Sequence, residues 1–100
     1  MTITENKTPI SIELVITGRL DTGTAPELEV KLKEVAPQTQ NLYLNMKDVQ
    51  YISSSGLRVV LLAHKLMLPS GGKMVIKQPS SFCKQVLAAT GMDSILSIES

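Results

Sequence analysis

One hundred residues with a net charge of +1 support a single domain over residues 1–100. Acidic and basic residues are scattered without a basic run, which argues against direct nucleic-acid binding and against a polybasic membrane anchor. The single cysteine, Cys83, excludes an internal disulfide, and no stretch approaches the ~20 apolar residues of a membrane span. Since the polar N-terminus also lacks a signal-peptide pattern, we expect a cytoplasmic protein with no membrane insertion.

A pair of strands is predicted at the start of the chain. Apolar and polar residues alternate over residues 10–17, a period of two that predicts a strand with one face on a core. That face is predicted to carry Ile10, Ile12, Leu14 and Ile16. A short strand over Thr2–Glu5 is expected to pair with it as a hairpin. Residues 18–23 then end the strand and enter a loop.

A helix is predicted after this loop. Thr24 is a candidate N-cap, and Glu27 three residues later completes a capping box. Pro26 fits the first turn, where its missing N–H costs nothing. Apolar residues then recur at helical spacing until Pro37, which is expected to end the helix.

The next strand and helix flank a serine-rich turn. Alternation over Asn41–Met46 predicts a strand, and a turn is expected at Lys47 and Asp48. After the serines, residues 57–68 are apolar nearly all round, so we predict a helix that is buried on more than one side. The sequence Pro-Ser-Gly-Gly at residues 69–72 ends it.

The last third of the chain repeats the same alternation. Residues 73–77 form a short apolar run suited to an interior strand. Ser80 or Ser81 is expected to cap a third helix that Gly91 closes. This helix carries the apolar residues Phe82, Val86 and Ala89, and Cys83 near its start is expected to be a packed, inert thiol. Residues 95–98 are expected to form either a last strand or a flap over the core.

This order of elements predicts an α/β fold. Repeated strand–helix–strand units favour right-handed crossovers and parallel strands, and the hairpin at the front adds an antiparallel one. We therefore expect a mixed, mostly parallel sheet of four to five strands with helices packed against it. Functional sites in such sheets lie where strands end and helices begin. The turns after Leu20 and after Ile52 are the two candidates.

The serine turn is the stronger candidate. Ser54 or Ser55 is expected to cap the second helix, and a cap alone would explain a Ser-Gly junction at a helix start. One cap, however, needs one serine, whereas Ser53 completes a run of three. Gly56 lets the backbone come close to whatever approaches the turn. A phosphate on Ser55 would be stabilised by the helix N-terminus, which suits a surface switch.

Enzymatic use of these serines is not expected. The only histidine is His64, and eight to ten residues along a helix span ~12–15 Å, beyond hydrogen-bond reach of the turn. The Gly-x-Ser-x-Gly nucleophile motif is absent from the sequence, and residues 69–73 lack phosphate-loop spacing. No motif for a cofactor or a metal is present in the sequence. Asp21, in the other turn, is interpreted either as an ordinary turn residue or as a partner contact near Ser55.

Two segments resemble the STAS domain, and within that family the stand-alone bacterial anti-sigma factor antagonists. They are Gly18-Arg19-Leu20-Asp21 and, more specifically, residues 51–62, Tyr-Ile-Ser-Ser-Ser-Gly-Leu-Arg-Val-Val-Leu-Leu. The resemblance extends over essentially the whole chain. Well-studied antagonists carry aspartate before the paired serines, where this chain has Ser53.

The resemblance implies a partner-switching function without enzymatic activity. The unphosphorylated antagonist binds an anti-sigma factor, which is also a serine kinase using ATP, and so frees the sigma factor. The kinase phosphorylates the serine before the glycine, which breaks the complex, and a serine phosphatase resets it. That serine is Ser55, with Ser54 as the second choice and as the implied cap. The implied partner-binding residues are Asp21, Ser53, Ser54, Ser55, Gly56, Leu57 and Arg58.

A second function remains open from the sequence. Single-domain STAS proteins also serve as subunits of transporters or of large signalling assemblies. In that case the same helix would be a constitutive docking module, and its binding would not respond to phosphorylation.

Overall fold

A computed structural model describes residues 1–99 of the chain. The strands are β1 (Thr2–Lys7), β2 (Ile12–Leu20), β3 (Asn41–Ile52), β4 (Lys73–Lys77) and β5 (Ser97–Glu99). The α-helices are α1 (Ala25–Val35), α2 (Ser54–Met67) and α3 (Ser81–Thr90), and short 3₁₀ turns cover Ala36–Gln38 and Met92–Ser94. None of the helices in this part of the chain is long and apolar enough to cross a membrane.

The five strands form one sheet in the order β1-β2-β3-β4-β5. β1 pairs antiparallel with β2 as the expected hairpin, and the remaining pairs are parallel. The prediction of an α/β fold with a mixed, mostly parallel sheet is confirmed. Of the two alternatives for the C-terminal segment, a strand is the one observed, since Ser97–Glu99 pairs with β4.

One apolar cluster joins the sheet to all three helices. Alternate residues of the central strands point into it, as the period of two predicts. These are Ile12, Leu14, Ile16, Leu42, Leu44, Met46, Met74 and Ile76. The prediction that Ile10 belongs to this face is wrong, because β2 begins at Ile12 and the Ile10 side chain is 74% exposed.

Strand β3 does not end at the turn predicted for Lys47 and Asp48. Val15 pairs with Asn45, but two residues later Thr17 pairs with Asp48, so β3 carries one extra residue there. A second shift of the same kind separates Gly18 from Arg19. Such bulges bend a strand without ending it. The polar Lys47-Asp48 pair therefore lies in an irregular stretch of a strand that continues to Ile52.

Helix α1 starts at the predicted place, but the predicted capping box does not form. Thr24 is the N-cap residue, yet its side chain makes no capping hydrogen bond to the helix. Its hydroxyl instead donates to the Arg19 carbonyl at 2.8 Å and accepts from the Asp21 N–H at 2.9 Å. The helix ends at Val35, and Pro37 lies in the 3₁₀ turn that follows.

On α3, Val86 packs against the core cluster and Cys83 is packed as expected. Cys83 and Leu87 are buried, whereas Phe82 is 38% exposed and Ala89 is exposed. The cap is Ser80, whose hydroxyl accepts from the Cys83 N–H at 3.2 Å. Gly91 ends the helix with a left-handed φ of 76°, as predicted.

Candidate functional site

The two candidate turns lie side by side. β2 and β3 are parallel neighbours, and their last residues, Leu20 and Ile52, are paired. The Ser53 N–H donates to the Leu20 carbonyl at 2.9 Å. Because parallel strands end at the same edge of a sheet, the Asp21 loop and the serine turn form one surface, as the sequence suggested they could.

Ser53 is the N-cap of α2. Its backbone is extended, with φ −91° and ψ 174°, and its side chain accepts a hydrogen bond from the Gly56 N–H at 3.1 Å. The prediction that Ser54 or Ser55 caps the helix is therefore wrong, because both already belong to the first helical turn. A cap residue has to lie outside the helix so that its hydroxyl can reach back to an N–H of the first turn.

Gly56 allows α2 to start against the end of β2. A Cβ atom at this position would lie 2.7 Å from the Leu20 carbonyl oxygen and 2.8 Å from the Leu20 Cγ. Side-chain carbons do not approach other atoms so closely without a shift of the backbone. The sequence suggested that Gly56 leaves room for an approaching partner. In the structure, the residue that lies close to Gly56 is Leu20, at the end of the protein's own strand β2.

Ser54 and Ser55 differ in their surroundings. Ser54 is exposed, whereas Ser55 is half-buried and its Oγ lies 3.3 Å from the Oγ1 of Thr22. A surface cleft of about 240 Å³ opens beside this pair of hydroxyls, between the starts of α1 and α2. It is lined by Thr22, Ala25, Pro26, Glu29, Ser55, Arg58 and Val59. Both candidate phosphate acceptors are therefore at the surface, in different settings.

The remaining predicted binding residues divide between the core and solvent. Leu57 is half-buried and packs against the core cluster. Arg58, one residue on, is exposed and lines the cleft beside Ser55. Of these two residues, Arg58 is the one that presents a polar side chain to a partner.

Asp21 holds the loop between β2 and α1 together. Its carboxylate accepts hydrogen bonds from the Gly23 N–H at 3.0 Å and the Thr24 N–H at 3.1 Å. The Thr24 backbone hydrogen bond is the main cause that lowers the pKa of Asp21 below its ordinary value, and Arg19 at 3.6 Å adds to it. The interpretation as a turn residue is thus the one that the geometry supports directly.

Two features of this surface were missed from the sequence. Thr22 lies in the loop predicted for residues 18–23, and its hydroxyl is the neighbour of Ser55. The Arg19 guanidinium lies 4.2 Å from the centre of the Tyr51 ring, and that ring is 5.7 Å from Phe82. The first contact joins residues 33 positions apart, which no local pattern can reveal.

Nothing around Ser55 in residues 1–99 resembles a catalytic triad. The side-chain hydrogen-bond partner of its hydroxyl in this part of the chain is Thr22, which is not a general base. His64 is half-buried on α2, two turns or more from the serine, as expected.

A family model described as STAS domain matches residues 2–100 of the chain. The chain belongs to the STAS domain family. The sheet, the glycine that lets α2 meet β2 and the serine turn before it all lie within the matched residues.

Two sequence relatives and one solved structure are similar to this STAS domain. The anti-sigma-B factor antagonist of Bacillus subtilis is 32% identical over 87 residues, which cover 87% of this chain and 80% of the relative. The anti-sigma F factor antagonist of Paenibacillus polymyxa is 28% identical, with coverage of 83% and 73%. The anti-sigma factor antagonist SpoIIAA in its unphosphorylated form shares the fold with a TM-score of 0.84, at 17% identity and coverage of 99% and 89%. The names of these proteins describe regulatory antagonists and not enzymes.

Proposed function

We propose that this STAS domain is an anti-sigma factor antagonist. In this proposal it binds an anti-sigma factor that is also a serine kinase, and the sigma factor is thereby released in the cytoplasm. The observation that carries the proposal is the accessible serine turn at the start of α2, in a chain whose relative at 32% identity bears that name. Ser54 is exposed and Ser55 is half-buried in this turn, so both hydroxyls lie at the surface where a partner protein can recognise them.

Phosphorylation of Ser55 is proposed to switch the antagonist off. The kinase transfers the γ-phosphoryl group of ATP, so a bond forms between Ser55 Oγ and phosphorus and the bond from phosphorus to ADP breaks. The hydroxyl proton leaves to a base of the kinase. A phosphate in the first turn of α2 is compatible with the helix, because the N-terminal end of a helix stabilises negative charge. A serine phosphatase would restore the unmodified form.

Ser54 and Ser55 differ in burial, so both are tested as sites of phosphorylation. Ser54 is more exposed, while Ser55 lies in the cleft next to Thr22. Accessibility alone favours Ser54, whereas the position before Gly56 favours Ser55 through the resemblance to the antagonists. The two serines are adjacent on the same helix, so each is a matched control for the other.

The test combines the purified chain with its cognate anti-sigma factor and ATP. We expect mass spectrometry to show one phosphate per chain, on Ser55, and we expect Ser55→Ala but not Ser54→Ala to abolish it. Ser55→Asp should weaken binding to the kinase at least ~10-fold, about 1.4 kcal/mol. Unchanged phosphate incorporation in Ser55→Ala would show that Ser55 is not the switch.

The same experiment distinguishes an antagonist controlled by phosphorylation from a constitutive docking module. A STAS subunit of a transporter or signalling assembly would co-purify with that assembly and would bind equally well with Ser55→Asp. The names of the relatives support the antagonist, so we expect sensitivity to this substitution.

A further inference from the structure

The cleft beside Ser55 joins groups from two segments of the chain. Thr22 belongs to the loop before α1, and its hydroxyl lies 3.3 Å from the Ser55 hydroxyl. Arg58 belongs to α2 and lines the same cleft. A phosphate on Ser55 would add three acceptor oxygens at the point where these two side chains converge.

Arg58 is well placed to meet such a phosphate. It follows Ser55 by three residues in α2, and side chains at this spacing are neighbours on one helix face, with Cβ atoms ~5–6 Å apart. Its side chain is exposed and forms no salt bridge within residues 1–99. A guanidinium presents paired N–H donors that match phosphate oxygens.

The acidic groups near the cleft are already engaged elsewhere. Glu29 of α1 lines the cleft, but its carboxylate is 2.9 Å from the Lys33 ammonium. Asp21 accepts backbone hydrogen bonds within its own loop and faces Arg19. Arg58 is therefore a basic residue that lines the cleft and has no carboxylate partner in the described part of the chain.

We propose that a phosphate on Ser55 is bound within the chain itself, by the guanidinium of Arg58 and the hydroxyl of Thr22. The inference rests on the proposed function, which supplies the phosphate. It goes beyond that function because it names the side chains that bind the phosphate. Phosphorylation then has two effects on the partner surface. It adds negative charge at Ser55, and it withdraws the charge of Arg58 from the partner.

The binding also ties α2 to the loop before α1. Thr22 donates its hydroxyl proton to one phosphate oxygen, while Arg58, which lines the same cleft, contacts the others. The modified serine is thereby held in the cleft between α1 and α2, where a phosphatase has to displace Arg58 to reach it.

The test places phosphoserine at position 55 during translation, so that no kinase is needed. The second ionisation of the phosphate is followed by ³¹P NMR during a pH titration. Nearby positive charge favours the dianion, so Arg58→Gln should raise this pKa by about 0.5 unit from its value in the wild type. Thr22→Val removes the hydroxyl at similar volume and should raise the pKa by a smaller amount.

Lys65→Gln is the matched control. Lys65 is also an exposed basic residue of α2, but seven residues further along the helix than Arg58, which is ~10 Å. The control should titrate like the wild type. Equal pKa values in the wild type and Arg58→Gln, or an equal shift in Lys65→Gln, would overturn the proposal.

The outcome is independent of whether a kinase modifies the chain. If no kinase phosphorylates Ser55, the proposed switch fails, yet the titration still reports whether the cleft holds a phosphate. If the switch operates but Arg58→Gln leaves the pKa of the phosphate unchanged, only the proposed binding of the phosphate by Arg58 and Thr22 is wrong.

Discussion

Three consecutive serines have three different environments at the start of α2. Ser53 caps the helix, Ser54 faces solvent, and Ser55 lies against Thr22. The cap falls to Ser53 because it is the last residue before the helix and its backbone is extended. Aspartate, which well-studied antagonists carry at this position, is an equally good N-cap residue. Serine in place of aspartate therefore retains the structural role.

Removal of this cap should destabilise the protein. We expect Ser53→Ala to lower the free energy of unfolding by about 1 kcal/mol, because the Gly56 N–H loses its hydrogen-bond acceptor. Urea unfolding followed by circular dichroism measures the difference.

Two substitutions are controls for this expectation. Ser53→Asp should keep most of the stability, because aspartate accepts the same hydrogen bond and carries a charge that the helix N-terminus favours. Ser54→Ala removes an exposed hydroxyl and should change stability by no more than about 0.5 kcal/mol. A loss in Ser54→Ala as large as that in Ser53→Ala would contradict the assignment of the cap.

At the level of elements, the connection between β2 and α1 depends on one carboxylate. The Asp21 carboxylate accepts hydrogen bonds from two backbone N–H groups just before α1, those of Gly23 and Thr24. These hydrogen bonds favour the charged form, which is why the pKa of Asp21 is lowered. A carboxyl group whose pKa is lower in the folded chain than in the unfolded chain stabilises the fold above its unfolded pKa. That contribution is lost as the pH falls through the folded pKa.

Asp21→Asn should therefore have a pH-dependent effect. At pH 7 we expect the variant to have a lower Tm than the wild type, and we expect the gap to close as the pH falls below ~4. The gap closes because protonation removes the same charge from the wild type. Thermal melts of both proteins between pH 3 and pH 7 measure it.

Asp93→Asn serves as the comparison for Asp21→Asn. Asp93 is exposed in the 3₁₀ turn after α3, and its carboxylate accepts no hydrogen bond from residues 1–99. Its substitution should change the Tm at pH 7 by less than that of Asp21. A Tm gap for Asp21→Asn that stays constant or widens on acidification would contradict the role of its charge.

The elements differ in how well their sequences predict them. The period of two in β2 identifies its core face because every second residue of a strand points the same way. The sequence places α3 correctly along the chain, but its periodicity does not identify the face that packs on the core. Phe82 and Cys83 are both apolar, and helical periodicity does not decide which of two adjacent apolar residues faces the sheet. The bulges of β3 depend on pairing with β2, which a single segment does not encode.

At the level of the whole molecule, protection from solvent is greatest in the middle of the sheet. β3 pairs with β2 along most of its length and with β4 over residues 41–45, and its inward residues are buried. β1 and β5 are the edges, and β5 has only three residues. Edge strands have one neighbour and open more readily than central ones.

Hydrogen exchange should follow this order. We expect the amides of Leu42–Met46 to exchange at least ~100-fold more slowly than those of β5, about 2.7 kcal/mol in opening free energy. Native-state exchange read by NMR measures both segments in one sample. Equal protection of the amides of β5 and of Leu42–Met46 would contradict this expectation and would mean that the sheet opens only as a unit.

The sequence by itself determined the α/β class, the parallel core with its hairpin, and the two turns where a site could lie. It could do so because strand and helix periods, the positions of Gly and Pro and the alternation of apolar and polar residues are local properties of the sequence. Only the structure decided which serine is the cap, that Gly56 makes room for Leu20, and that Thr22 lies beside Ser55. The cap depends on where β3 ends and α2 begins. The other two contacts join the end of β2 and the loop after it to α2, and such contacts between distant segments exist only after the chain has folded.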